Sequence, residues 1–318
     1  MKESKIKEAV IAITYRCNSR CRMCNIWQKS DYSGELKAEE FRQLPPDLTD
    51  INLSGGEPFL RQDLPQIVAA ISQTCPKASI TISTNGFASE LITGQISELK
   101  KIKPDLRVAV SLDGLGAVHD NIRGVADGFA KVIKTIDILK QAGIGNLKIG
   151  FTVGDYNYLE LPKVYQFCHQ HGLEFSLALI HSSQNFFAKT NDIKKKREIA
   201  HELDWLIKQE LASAKPKQWA RAYFAFGLKS FLNSGQRILP DYSGKLNIFI
   251  DPQGDIYPCD VSSEKIGNIK KLNNLKEISF AQECSASWMI CTARQAIKKH
   301  WFKVGWWIIK NKFFYEPC

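Results

Sequence analysis

The chain has 318 residues, 44% of them apolar, which supports more than one small core and is too many for a disordered polypeptide. Its net charge is +10, yet the basic runs lack aromatic interleaving on a strand pattern, so nucleic acid is not expected as a partner. Nine cysteines, odd in number and unevenly spaced, do not read as a secreted disulfide framework, and the apolar stretch Ala9–Ile13 is too short for a signal-peptide core; a reducing cytoplasm is expected.

From the N-terminus, short β-rich segments alternate with helical patterns. Strands are predicted at Ala9–Thr14, Asp50–Leu53, Ser79–Ser83, Arg107–Ser111, Lys148–Val153 and Glu174–Leu179. Between them, Leu64–Ser72, Glu90–Lys100, Phe129–Gln141 and Leu161–His171 place apolar residues at helical spacing. Such alternation implies a parallel sheet with right-handed crossovers, and six units are too few to close an eight-stranded barrel. The alternation stops near residue 185. Helices are then predicted over Lys194–Leu211 and Gln218–Phe231, broken at Lys215-Pro216. A hairpin of Leu246–Ile250 and Ile256–Tyr257, turning at Asp251–Asp255, precedes a helical C-terminus.

The chemically distinctive residues follow the strands. Cys17, Cys21 and Cys24 form a C-x3-C-x2-C run after the first. Three local thiolates can hold three irons of a four-iron cluster and leave the fourth open, as a reactive rather than a closed structural site requires. Gly55-Gly56-Glu57-Pro58 follows the second strand, Ser83-Thr84-Asn85-Gly86 closes the third, and Ser111-Leu112-Asp113-Gly114 closes the fourth, with His119–Gly124 beyond it. Parallel sheets gather their chemistry at the C-terminal edges of strands, so these motifs converge on one mouth.

In this order and spacing the motifs resemble the radical S-adenosylmethionine (SAM) superfamily, in particular the subgroup with a C-terminal SPASM or twitch extension. The resemblance covers roughly residues 8–295. It implies an α/β fold: a partial (β/α)6 barrel over residues 1–185, a helical connection over 186–240, an α+β twitch- or SPASM-like extension over 241–295, and a basic aromatic helix over 296–318. It also implies a [4Fe-4S] cluster on Cys17, Cys21 and Cys24 whose open iron chelates SAM. Reductive cleavage would give a 5′-deoxyadenosyl radical that abstracts hydrogen from an unactivated C–H of an unidentified small-molecule, lipid-linked or peptide substrate. The electron would come from an external reductant such as flavodoxin or ferredoxin.

The cofactor-facing residues follow from the same resemblance. Gly55, Gly56, Glu57 and Pro58 would carry the SAM amino group, with the glycines allowing close backbone approach. Ser83, Ser111 and Asp113 are candidate ribose contacts, Asn85 stands beside them, and Met23 is placed to pack on adenine. Arg123 would meet the SAM carboxylate, the bland reading being a surface ion pair with Asp120. His181 ends the sixth strand and is the candidate acid, base or donor toward substrate; a purely structural histidine is the alternative. His119 is expected to place its loop.

The hairpin ending in Cys259 resembles that of SPASM and twitch extensions, and the resemblance implies Cys259, Cys284 and Cys291 as ligands of an auxiliary [4Fe-4S] cluster, although the cysteine that relatives usually carry before the hairpin is missing near Asp241–Gly244. A zinc ion suits these thiolates equally by softness. The fourth ligand is open among Asp241, Cys318 and a non-protein group. Cys75 and Cys168 read as packing residues. The competing class is a non-catalytic iron–sulfur or zinc electron-transfer protein on the same fold, although an electron carrier has no use for SAM-facing groups at Gly55–Pro58 and Arg123.

Residues 294–312 contain Arg294, Lys298, Lys299, Lys303, Lys310 and Lys312 and no acid. The uncharged run Val304–Ile309 is too short to span a bilayer. On a helical wheel Lys299, Lys303 and Lys310 share a stripe, with Trp301, Val304, Ile308 and Ile309 facing elsewhere. Two expectations follow: peripheral contact with the inner face of a membrane, or a cap over the open side of the barrel.

Overall fold

A computed structural model of the chain describes residues 6–271 and 287–312. Strands β1 (Glu8–Ala12), β2 (Asp50–Ser54), β3 (Ser79–Thr84), β4 (Arg107–Ser111), β5 (Asn146–Val153) and β6 (Glu174–Leu179) lie side by side, all parallel. Helices α1 (Leu64–Thr74), α2 (Ser89–Ile102), α3 (Ala117–Arg123), α4 (Gly128–Gln141) and α5 (Leu161–Gln170) connect them. The partial six-unit barrel expected from the alternation is present.

The extension is not separate from that barrel. β7 (Asn247–Ile250) pairs in parallel with the free side of β1, opposing Glu8 with Asn247 and Ile11 with Ile250. β8 (Asp255–Tyr257) and β9 (Gly267–Asn268) continue antiparallel, so one sheet runs β6-β5-β4-β3-β2-β1-β7-β8-β9. The expected hairpin is there, but it extends the barrel wall.

Alternation within each strand decides what the barrel encloses. In β5, Leu147, Ile149, Phe151 and Val153 are buried in the main core. Their neighbours Lys148, Gly150 and Thr152 line the lumen. β3 repeats the rule, with Ile80 and Ile82 in the core and Thr81 and Ser83 inward. Each large outward residue contributes about 1.5–3 kcal/mol of burial, whereas the small or polar inward set cannot fill the centre. Two cavities of about 250 and 200 Å³ result, sharing Ser83. The larger lies at the C-terminal strand ends, and the smaller below it against Glu8, Asp50 and Lys148.

The helices beyond the barrel close its outside and floor. α6 (Lys196–Ala212) and α7 (Pro216–Ser234) pack together, α7 opening on the expected proline. α8 (Ile290–Lys299) crosses the floor, where Arg294 reaches Glu8 at 2.6 Å and Asp50 at 2.9 Å, and Lys298 adds a contact to Glu8 at 3.1 Å. α9 (Trp301–Lys312) lies on the α6–α7 pair through buried Val304 and through Trp307, whose ring meets Tyr223 and Phe226. The expected cap over the open side is corrected: α9 covers α6 and α7, and it is α8 that closes the floor. Of the apolar residues that the wheel set apart from the lysines, Val304 and Ile308 belong to the docked face, whereas Trp301 and Ile309 are exposed. Cys75 and Cys168 are buried packing residues, as expected.

Candidate active site at the barrel mouth

The chain leaving β1 is clamped before it reaches the first cysteine. Arg61 donates to Ile13 O and Leu36 O, both at 2.9 Å, while gripping Asp63 with two further bonds. Glu35 accepts from Thr14 Oγ1 at 2.7 Å and from Tyr15 N at 3.1 Å. Beyond Cys17 the loop is laced to the end of α3, with Arg20 N donating to Arg123 O and Arg22 N to Ile122 O. Asn191 Nδ2 donates to Met23 O from the other side. A loop so tied can present three side chains in fixed geometry.

Cys17, Cys21 and Cys24 are unpaired thiols and all line the larger cavity. Each sulfur has a polar neighbour: Asn85 Nδ2 at 3.9 Å from Cys17, Arg123 Nη1 at 3.7 Å and Ser19 Oγ at 3.0 Å from Cys21, and Ile26 N at 3.5 Å from Cys24. Donors aimed at sulfur suit thiolates, and hydrogen bonds to ligating sulfurs help set the potential of iron–sulfur clusters. Burial pushes the Cys17 thiol up to about 12 and Cys24 to about 11. Both thiols stay protonated when bare, and cationic iron would offset that cost on binding. Among the described residues no three His, Cys, Asp or Glu converge on a single ion. Three thiols lining one cavity suit a cluster that takes one iron per sulfur.

Gly55 and Gly56 line the same cavity, but their glycine requirement comes from behind. Gly55 has φ +129°, and a Cβ there would lie 2.3 Å from Thr14 O; at Gly56 it would lie 2.0 Å from Arg16 O. The two residues press against the backbone that leads to Cys17, with Gly56 N donating to Thr14 O at 2.7 Å. Glycine thus sets the distance between the β2 loop and the cysteine loop.

Glu57 and Pro58 do not line the cavity, which corrects the expectation that they face SAM. Glu57 is fully buried and accepts from Thr84 Oγ1 at 2.8 Å, Asn85 N at 2.7 Å and Phe59 N at 3.2 Å, and Pro58 begins a short 3-10 turn. Burial raises its pKa to about 7, against the pull of these donors. The carboxyl joins the β2 and β3 loops. Glu57→Gln turns an amide N–H toward backbone donors, and is expected to cost about 1–3 kcal/mol in urea unfolding.

Asp113 is a second correction. Its side chain is fully buried away from the cavity, accepting from Thr152 N at 2.8 Å and pairing with Arg123 at 2.6 Å. Burial lifts its carboxyl above the usual range, opposed chiefly by Arg123. The same burial works against the guanidinium, but Asp113 beside it overrides this and holds the charge. Asp120, the bland partner for Arg123, instead accepts from Phe129 N at the start of α4. Arg123 lines the cavity with a buried Nε that has no hydrogen-bond partner. His119 places the loop as expected, its Nδ1 accepting from Asp113 N, and burial lowers its pKa to about 3.

Ser83, Asn85, Ser111 and Met23 all line the cavity. Ser83 Oγ already donates to Asn52 Oδ1 and Asn85 Nδ2 to Asn18 Oδ1. Thr152, Ser54 and Phe187 line it as well, and sequence reasoning did not single them out. Thr152 and Ser54 were findable, because each continues the inward alternation to the end of its strand. Phe187 comes from an irregular segment with no such signal.

His181 reaches the cavity from the end of β6. Its Nδ1 lies 3.3 Å from Leu179 O and its Nε2 3.4 Å from Asp260. Burial disfavours its charge, but Asp260 outweighs burial and raises the pKa. Asp260 adjoins Cys259, which is buried and disulfide-bonded rather than a free thiol as a ligand role would require; the charge of Asp260 also acts on Cys291 at the start of α8, so the two segments are neighbours. Cys291 lines the lower cavity, and its thiol is raised first by burial. Cys284 and Cys318 lie outside the described residues. Asp241 caps its own turn through Ser243 and keeps one buried oxygen without a hydrogen-bond partner.

Comparison with known proteins places the chain in a family. Residues 11–168 match the radical SAM superfamily model. Pre-heme d1 synthase of Dinoroseobacter shibae is 27% identical over 81% of this chain and 70% of its own length. Fe-coproporphyrin III synthase of Methanosarcina barkeri is 33% identical over 51% of this chain, a stretch spanning only 41% of that protein. The fold superposes on Streptococcus suis SuiB bound to S-adenosylmethionine with a TM-score of 0.63, covering 87% of this chain and 67% of that one at 16% identity. The chain is an enzyme of the radical SAM superfamily, with the [4Fe-4S] cluster and SAM that membership implies.

Proposed function

We propose that this chain cleaves SAM reductively to a 5′-deoxyadenosyl radical, which takes hydrogen from an unactivated C–H of a substrate seated over the barrel mouth. The observation that carries the reading is one cavity lined by three donor-contacted thiols together with Gly55, Gly56 and Arg123. When bound, the cluster and SAM supply a low-potential electron and the radical; the protein positions and insulates them. Gly55 and Gly56 set the loop spacing at the rim. The unpartnered Nε–H of Arg123 is available to a carboxylate. Ser83, Ser111 and Asn85 offer hydroxyl and amide groups to a ribose, and Met23 an apolar contact to adenine. His181, oriented by Asp260, faces the substrate as donor or base. An external reductant such as flavodoxin or ferredoxin supplies the electron, in a reducing cytoplasm.

The test is anaerobic reconstitution, chemical reduction, and mass-spectrometric detection of 5′-deoxyadenosine and methionine. Protein carrying its full iron that makes neither with SAM would refute the reading. His181→Ala should leave cleavage of SAM intact while lowering product from a true substrate.

We further propose that the extension is of the twitch type and, once the disulfide at Cys259 is opened by a thiol reductant, holds an auxiliary [4Fe-4S] cluster on Cys259, Cys284 and Cys291. The support is the neighbouring placement of the Cys259 and Cys291 segments. Elemental analysis and Mössbauer spectroscopy should then find about eight irons per chain. Joint replacement of the three cysteines by alanine should halve that number and still permit SAM cleavage. About four irons with one zinc in the wild type would replace the auxiliary cluster by a zinc site.

A further inference from the structure

The last helix is docked on one side only. Val304, Trp307 and Asn311 of α9 face the fold, and Lys312 Nζ donates to Ser213 O at 3.1 Å. The opposite side carries Phe302, Trp306 and Ile309, spaced four and three apart and therefore on one stripe. They are 73%, 72% and 68% exposed, and Trp301, stacked on Phe302, is 58% exposed. Of the seven large hydrophobics exposed among the described residues, these are four, and they sit on a single twelve-residue helix. Scattered exposed apolar residues need no explanation, but a concentrated stripe of aromatics does.

Charge identifies the occupant. Lys303 and Lys310 flank Trp306 one turn away on either side, and neither has an acidic partner among the described residues. Lys299, just before the helix, lies over the Tyr242 ring rather than against a carboxylate. The neighbouring cations on α8 differ, since Arg294 and Lys298 are neutralised by Glu8 and Asp50. Lys303 and Lys310 thus stand beside the aromatic stripe without a neutralising carboxylate, Lys303 Nζ donating only to the Ile238 carbonyl at 3.2 Å. A second copy of the chain would bring like charges together along this stripe, which opposes self-association. A single convex helix also provides no groove for a peptide. No helix of the described residues is long and apolar enough to cross a membrane.

We propose that α9 lies in the interface of an anionic lipid bilayer, with Phe302, Trp306 and Ile309 entering between headgroups and Lys303 and Lys310 on the lipid phosphates. Aromatic side chains favour this depth, and lysines near it gain from the negative surface potential. The helix is fixed to α6 and α7 and α8 closes the barrel floor, so the enzyme would meet the membrane as one rigid body.

The test is co-sedimentation of the purified full-length protein with vesicles of phosphatidylcholine alone or mixed with phosphatidylglycerol. Intact protein is expected to sediment with the anionic vesicles, and binding should fall several-fold as salt rises well above ~0.1 M, where the screening length is about 10 Å. The triple variant Phe302→Ser, Trp306→Ser, Ile309→Ser should lose at least tenfold in binding. Because those side chains already face solvent, its melting temperature and iron content should match the wild type. Brominated phospholipid should quench tryptophan fluorescence in the wild type, and much less in the variant. No sedimentation of the intact protein would overturn the proposal, as would a triple variant that binds like wild type. Equal, salt-insensitive binding to both vesicles would overturn the anionic assignment. A dimer that the triple variant dissolves, with no vesicle binding, would make a second copy the occupant.

Discussion

Alanine at Cys17, Cys21 or Cys24 is expected to lower SAM cleavage to background and to remove the iron held at the barrel mouth. Each thiol lines the same cavity and each has its own polar neighbour, so none substitutes for another. With one thiolate gone, a second iron is exposed and the cluster becomes open to chelation and loss. The variants should remain folded, because all three cysteines are only partly buried and the loop is fixed by Arg61, Glu35 and the end of α3. Iron analysis, electron paramagnetic resonance and 5′-deoxyadenosine yield, with circular dichroism as the folding control, report the outcome. Turnover by the triple alanine variant would remove the thiols from the chemistry.

Arg123→Ala is expected to cost about 3–5 kcal/mol of stability, because it strands the fully buried Asp113 carboxylate. It also deletes the donor to Cys21 and the unpartnered Nε–H, so SAM affinity should fall as well. The two effects separate in a double-mutant cycle. Adding Asp113→Asn to Arg123→Ala should recover much of the stability and none of the SAM affinity. Arg123→Lys should restore charge without the planar fork, and so rescue stability better than binding. Urea unfolding and equilibrium SAM binding are the measurements. An Arg123→Ala protein that unfolds at the wild-type urea concentration would show that the pair contributes nothing.

Those two predictions mark where sequence reasoning reached and where it stopped. The strand–helix alternation was readable because it depends on periodicity and on strand-end glycines, which are local. The cysteine loop was readable because three ligands fall within eight residues. The roles of Glu57, Asp113 and Arg123 were not, because nothing in a linear order distinguishes a carboxylate that faces a ligand from one that braces the loop behind it. Glu57 answers to Thr84 and Asn85, and Asp113 to Thr152, partners that only the closed sheet brings near. The tail shows the same limit. A wheel drawn on residues 299–314 separated lysines from apolar residues correctly, yet the docked and exposed apolar faces of α9 depend on where Tyr223 and Phe226 stand.

Inserting β7 beside β1 ties the order of assembly to the far end of the chain. β1 is an interior strand only after Asn247–Ile250 has been synthesised and has bonded to Glu8–Ile11, across more than two hundred residues of sequence. Until then a nascent polypeptide exposes one side of β1 as an unpaired edge, a template for wrong pairing. Contacts of such separation form slowly. The strand that delivers the chain to Cys17 is thus completed late. Iron delivery during synthesis would meet a cysteine loop whose supporting wall is unfinished, so cluster loading is expected to follow release of the full-length chain. A fragment ending before Asn247 should aggregate, even though it contains Cys17, Cys21 and Cys24.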